Sequence, residues 1–169
     1  MSKNEFKKAK LIKAIRANGF SQFMKGIIRS KVSEENEIEQ TKILIVDDEL
    51  EICGIVKDML EPIGAEIEIT TSSKQALELI LNTKYSLLIL DISMPEIDGI
   101  RLLKLVRENN INTPVLFLSG DTSEKNLQNA LYLGAMSFIE KPFNVDELIN
   151  IAQKLINHAQ TENSFKKAV

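Results

Sequence analysis

Several short apolar runs in this chain end at a residue able to do polar chemistry. KILIV (42–46) is followed by Asp47 and Asp48, SLLIL (86–90) by Asp91, PVLFL (114–118) by Ser119, and MSFIE (136–140) by Lys141. The sharpest case is LLILDISMPEIDG (87–99), where an aspartate comes directly after four apolar residues. A carboxylate inside a core is costly to bury, whereas at a strand end it sits where ligands bind. The run AEIEIT (65–70) offers only Thr70 and Thr71.

Three carboxylates brought together repel one another, and a divalent cation relieves that repulsion. Oxygen donors without histidine or cysteine favour Mg²⁺, which takes a few carboxylates and keeps waters. A carboxylate can also act as a nucleophile and form an aspartyl phosphate. Lys141 supplies a point charge for a phosphoryl oxygen, and Ser119 supplies a hydrogen-bond donor. Taken singly, each residue has a plainer reading: Asp47–Asp48 as a helix cap, Asp98–Gly99 as turn and cap chemistry, Ser119 and Lys141 as structural. Together, at the ends of successive runs, they point to phosphoryl chemistry.

The runs are short and rich in Ile, Val and Leu, as buried parallel strands are; AEIEIT alternates, as a strand nearer a sheet edge does. Between the runs lie five apolar sets at helical spacing. They are Ile52, Ile55, Val56, Met59 and Leu60; Ala76, Leu77, Ile80 and Leu81; Ile100, Leu103, Leu105 and Val106; Leu127, Ala130 and Leu131; and Leu148, Ile149, Ile151, Ala152, Leu155 and Ile156. Cys53 is expected to pack in the first helix as a small apolar residue. Five βα units imply an α/β fold, a doubly wound parallel sheet with helices on both faces. Ligands then bind beyond the carboxyl ends of the strands, where the polar residues stand.

VDDE (46–49), LLILDISMPEIDG (87–99), LFLSGDT (116–122) and GAMSFIEKPF (134–143) resemble the receiver domain of two-component response regulators over residues 42–160. The resemblance implies the CheY-like strand order 2-1-3-4-5. It also implies that Asp91 accepts a phosphoryl group from a histidine kinase or histidine phosphotransfer protein. Asp47, Asp48 and Asp91 would hold Mg²⁺ together with the Ser93 backbone carbonyl, and Ser119 and Lys141 would close on the phosphoryl group. The Lys141–Pro142 bond would be cis. Phe138 stands at the family's aromatic switch, where a tyrosine is common, and lacks its hydroxyl. Ser93 and Asp121 stand where access of hydrolytic water is tuned. On this reading the chain is a signalling switch that phosphorylates and dephosphorylates itself, more than an enzyme acting on others. Two alternatives are a phosphorelay intermediate passing phosphate to a second histidine protein and a Mg²⁺-dependent phosphatase with an aspartate nucleophile. The phosphatase is disfavoured because Ser93, not an acid, stands two positions after Asp91.

Charge divides the chain of 169 residues. Residues 1–31 hold nine Lys or Arg and one Glu, a balance of +8, so the net −3 leaves −11 for the remainder. Asn18–Gly19 is a helix-stop signal. After it, Phe20, Phe23, Met24, Ile27 and Ile28 form one apolar helical face. Residues 1–32 therefore read as a basic, amphipathic helical extension, 33–41 as an acidic linker, and 161–169 as a flexible tail. With so few residues after the last helix, any output element is expected at the front. The extension suits docking on its own receiver, a downstream protein or a second copy, or an anionic membrane surface. DNA is disfavoured, since two short helices fall short of a three-helix reading head. One cysteine, Cys53, and one histidine, His158, argue against a disulfide framework or a zinc site. No run approaches the ~18 apolar residues of a membrane span. A reducing cytoplasm, with peripheral membrane contact through the first segment, fits these features.

Overall fold

The computed structural model describes residues 40–120 and 123–167. The chain divides between Gln40 and Thr41 into two units, and nearly all described residues belong to the second. The expectations for the extension, including its face Phe20, Phe23, Met24, Ile27 and Ile28, and for Asp121 lie outside the described residues.

Among the described residues five strands and five α-helices alternate: β1 (Lys42–Val46), α1 (Leu50–Leu60), β2 (Glu66–Thr70), α2 (Ser73–Asn82), β3 (Leu87–Leu90), α3 (Gly99–Glu108), β4 (Val115–Ser119), α4 (Glu124–Tyr132), β5 (Ser137–Glu140) and α5 (Val145–Lys167). All pairings are parallel and the sheet order is β2-β1-β3-β4-β5, as the resemblance implied. Successive side chains leave a strand on opposite faces, and this builds two cores. Leu44, Val46, Leu88, Leu90, Val115 and Phe117 pack with Ile80 of α2, Leu103 and Val106 of α3 and Ala130 of α4. Ile43, Ile45, Leu87, Ile89, Leu116 and Leu118 pack with Val56 and Leu60 of α1 and Leu148 and Ala152 of α5. The central strands β1, β3 and β4 are buried on both faces, which is why they read as unbroken apolar runs. β2 is an edge strand with Glu66 exposed, which accounts for its alternation.

Helix starts and stops follow local chemistry. The Asp98 side chain caps α3 by accepting from the Arg101 amide at 2.8 Å, and Ser72 caps α2 by accepting from the Gln75 amide at 3.3 Å. Gly64 and Gly134, with φ of +71° and +79°, turn the chain after the short 3₁₀ turn Glu61–Ile63 and after α4, a conformation glycine adopts without steric cost.

Three expectations need correction. The third helix buries Leu102 with Leu103 and Val106, while Leu105 is only half-buried. In the fourth set Leu131 is 63% exposed; only Ala130 is buried, because α4 covers an edge of the sheet rather than its centre. The last helix does not stop near residue 160 but runs to Lys167. QTENSFKK (160–167) is polar, yet it holds no glycine or proline to end a helix.

Candidate phosphorylation site

Backbone hydrogen bonds that continue the ladder past the strands fix the polar residues at one edge of the sheet. The Asp91 amide donates to the Val46 carbonyl (2.8 Å), the Asp47 amide to the Thr70 carbonyl (3.4 Å), and the Lys141 amide to the Ser119 carbonyl (3.0 Å). Each places a candidate site residue directly beside a neighbouring strand. Ser119 is the last residue of β4 rather than the first after it, and is fully buried.

The side chains converge. Lys141 Nζ donates to Asp47 Oδ2 at 2.6 Å and to Asp91 Oδ1 at 2.8 Å. The remaining carboxylate oxygens accept from backbone: Asp47 Oδ1 from the Glu49 amide (3.0 Å) and Asp91 Oδ2 from the Ser93 amide (2.5 Å). Asp47 is 4% exposed and Asp91 5%, whereas Asp48 and Ser93 face solvent. Two buried carboxylates would repel each other strongly; the ammonium between them removes that cost. Burial pulls the Lys141 pKa down, but hydrogen bonds and charge from Asp47 and Asp91 outweigh it and hold it above its ordinary value. Below the site, the Cys53 thiol donates to the Asp47 carbonyl at 3.4 Å. Its pKa is pushed up to about 11, chiefly by burial and then by the charge of Asp47.

The hard oxygen donors Asp47, Asp48 and Asp91 suit Mg²⁺ by chemistry. Among the described residues, however, no three acidic, histidine or cysteine groups already form a cation cage; Lys141 sits where the charge is needed. Phe138 lies on β5, half-buried, its ring 5.1 Å from that of Phe117. The Lys141–Pro142 bond is cis. Thr70, at the end of β2, is not aimed at this chemistry: its hydroxyl donates to Gln75 Oε1 at 2.7 Å and accepts from the Ser72 amide at 3.2 Å.

Two structural roles were not visible in the sequence, that of Gly99 beside Asp91 and that of Arg107 at the far end of α3. Gly99 does more than cap: a Cβ there would lie 2.1 Å from the Asp91 carbonyl oxygen. Arg107 donates to four carbonyls, those of Leu133 (3.2 Å), Ile111 (2.8 Å), Thr113 (3.1 Å) and Gly134 (3.2 Å). It thereby ties the end of α3 to the turn before β5. The DG pair marks a turn and cap at Gly99 but not the approach to Asp91; Arg107 carries no such mark.

Comparison with known proteins agrees with this geometry. The family described as "Response regulator receiver domain" matches residues 43–153. The response regulator SaeR of Staphylococcus epidermidis is 35% identical over 127 residues, covering 75% of this chain and 55% of that protein. The transcriptional regulatory protein DltR of Streptococcus agalactiae is 36% identical over 108 residues, covering 64% of this chain and 48% of its own. The chain thus spans about half the length of the curated relatives it matches. Among solved structures, the Francisella response regulator 1452 receiver domain is 37% identical with a TM-score of 0.66, covering 70% of this chain and 98% of that one. A CheY-like receiver domain protein from Methanospirillum hungatei is 29% identical with a TM-score of 0.70, covering 73% and 98%. Sheet order, strand-end chemistry and these matches agree, and the chain belongs to the response regulator receiver domain family of two-component signalling.

Proposed function

We propose that Asp91 is a phosphoacceptor and that this receiver switches conformation when it is phosphorylated. The observation that carries the reading is Lys141 held between Asp47 and Asp91, a buried cation poised between a nucleophile and a second carboxylate. An Asp91 carboxylate oxygen forms the new P–O bond as the P–N bond of a phosphohistidine breaks, and the electron pair leaves with the imidazole. The donor is a histidine kinase or histidine phosphotransfer protein. Asp47, Asp48 and Asp91, with the Ser93 carbonyl, would hold Mg²⁺, which neutralises phosphoryl charge during transfer.

The chain's own residues do the rest. Once Asp91 is an acyl phosphate, Lys141 moves its ion pair from the carboxylate to a phosphoryl oxygen. The Ser119 hydroxyl, on the neighbouring strand, donates to another. Phe138, only half-buried beside Phe117, turns inward as β4 shifts. The change is a population shift between two packings, and it alters the face made by α4, β5 and α5. Ser93 and Asp121 set how readily water removes the phosphoryl group. The product is a conformational state that a downstream protein or a second copy reads, so the chain acts as a switch. Relatives named as transcriptional regulators are about twice as long as the matched part, and DNA binding is not carried over to this chain. Residues 1–32 are assigned to contact with a protein or an anionic membrane. Among the described residues no helix is long and apolar enough to cross a membrane.

Amide exchange with Mg²⁺ alone and with added beryllofluoride tests the switch. Slowed exchange around Ser119, Phe138 and Lys141, absent in Asp91→Asn, is expected. Identical exchange in both conditions would sink it.

A further inference from the structure

The loop between Asp91 and α3 contains a strained turn with its own clamp. The Ile97 amide donates to the Pro95 carbonyl at 2.8 Å, and Glu96 between them has φ of +66°. This is a γ-turn of the rarer, strained hand. A non-glycine residue persists in such a conformation only where its surroundings over-determine it.

Two residues of the first turn of α2 do so. Ser73, 2% exposed, donates its hydroxyl to the Pro95 carbonyl at 3.1 Å and accepts from the Ile97 amide at 3.3 Å. One hydroxyl therefore closes both ends of the turn. Lys74 Nζ meets Glu96 Oε1 at 2.7 Å and holds the central residue from the solvent side. The helix has no need of Ser73 for capping, because Ser72 already does that. At its other end the same loop delivers the Ser93 amide to Asp91 Oδ2, and the Gly99 amide donates to the Ile92 carbonyl at 2.9 Å. The loop is thus fixed at the site, at the start of α3 and, between them, at Ser73.

We propose that Ser73, assisted by Lys74, is a positioning residue for the phosphorylation site: by holding the strained turn at Glu96 it sets the Ser93 backbone beside Asp91. The proposal rests on the phosphoacceptor reading of that site and adds α2 to the elements that shape it.

The test uses the full chain and three readouts: exchange of the Ile97 amide without metal, Mg²⁺ affinity by calorimetric titration, and the rate of phosphorylation by phosphoramidate. Ser73→Ala should speed Ile97 exchange and weaken Mg²⁺ binding about tenfold, the usual scale for groups that orient metal ligands. Phosphorylation at subsaturating Mg²⁺ should slow in proportion. Glu96→Gly relaxes the turn, since glycine takes positive φ freely, and should bring the double variant to within roughly twofold of Glu96→Gly alone. A folded Ser73→Ala protein with unchanged Mg²⁺ affinity overturns the proposal; so does a double variant no better than Ser73→Ala. If Ser73→Ala does not fold, Lys74→Ala decides: loss of its exposed ion pair should weaken Mg²⁺ binding about twofold, and no loss overturns the clamp. A wild-type protein that neither binds Mg²⁺ nor accepts phosphate would overturn the reading of the site itself. Wild-type activity with indifferent variants overturns only the positioning role.

Discussion

Lys141 is the residue on which the electrostatics of the site turn. Its ammonium lies 2.6 Å and 2.8 Å from two carboxylates that are almost fully buried, and each carboxylate also accepts a backbone amide. Removing one partner of such a group leaves charge uncompensated in a poorly solvated place. Lys141→Ala should destabilise the metal-free protein by about 3 kcal/mol, read from chemical denaturation. Mg²⁺ should then raise the melting temperature of Lys141→Ala more than that of the wild type, because the cation replaces the missing ammonium. Equal stability of the two metal-free proteins would show that the lysine is not the counter-ion. The identity of these residues was legible in the sequence, because a charged residue directly after an apolar run has few structural reasons to be there. Their arrangement was not: a lysine bridging residues 94 and 50 positions away leaves no local pattern.

At the scale of elements, the strands read clearly because burial on both faces demands continuous apolar residues. The helices read less clearly. Leu102 and Leu105 fit the spacing of α3 almost equally well, and only the direction from which the sheet approaches decides that Leu102 is the buried one. Leu131 fits the spacing of α4, but α4 lies over the sheet's edge and leaves it exposed. The Ser73 clamp joins residues 22 and 24 apart, which no periodicity reports. The join between β3 and α3 is the most constrained. Gly99 begins α3 so close to the Asp91 carbonyl that a methyl group would overlap it. Gly99→Ala should cost about 3 kcal/mol, the upper end for overpacking a close contact. It should also slow phosphorylation beyond what lost stability explains, since the backbone forced to move is that of Asp91, the proposed phosphoacceptor. Phosphorylation at the wild-type rate in the folded fraction would contradict this.

Across the whole molecule, among the described residues, Cys53, Tyr85 and Lys141 are groups whose pKa rises on folding and which limit stability at alkaline pH. Cys53 rises from 9.0 to about 11 through burial and then the charge of Asp47. Tyr85 rises through burial and its 2.6 Å hydrogen bond to Glu68. Lys141 rises, its carboxylate partners outweighing burial. A raised pKa favours the protonated form in the folded state, so its contribution is complete below the unfolded value and is lost as pH climbs through the folded one. Melting temperature should therefore stay level up to about pH 9 and fall between pH 9 and 11. Cys53 alone accounts for at most about 3 kcal/mol across two pH units. Cys53→Ala should flatten the first part of the decline; an unchanged profile would assign it to other groups. The chain divides into two units between Gln40 and Thr41, some ten residues beyond the change of charge after residue 31. The family match confined to residues 43–153 falls within the second.

The most direct measurement is intact-mass spectrometry of the full chain after incubation with phosphoramidate and Mg²⁺, followed by localisation of the modification. One added phosphoryl group, labile in base, is expected on Asp91 and none in Asp91→Asn. An unmodified wild-type protein, or a phosphoryl group carried equally by Asp91→Asn, would contradict it.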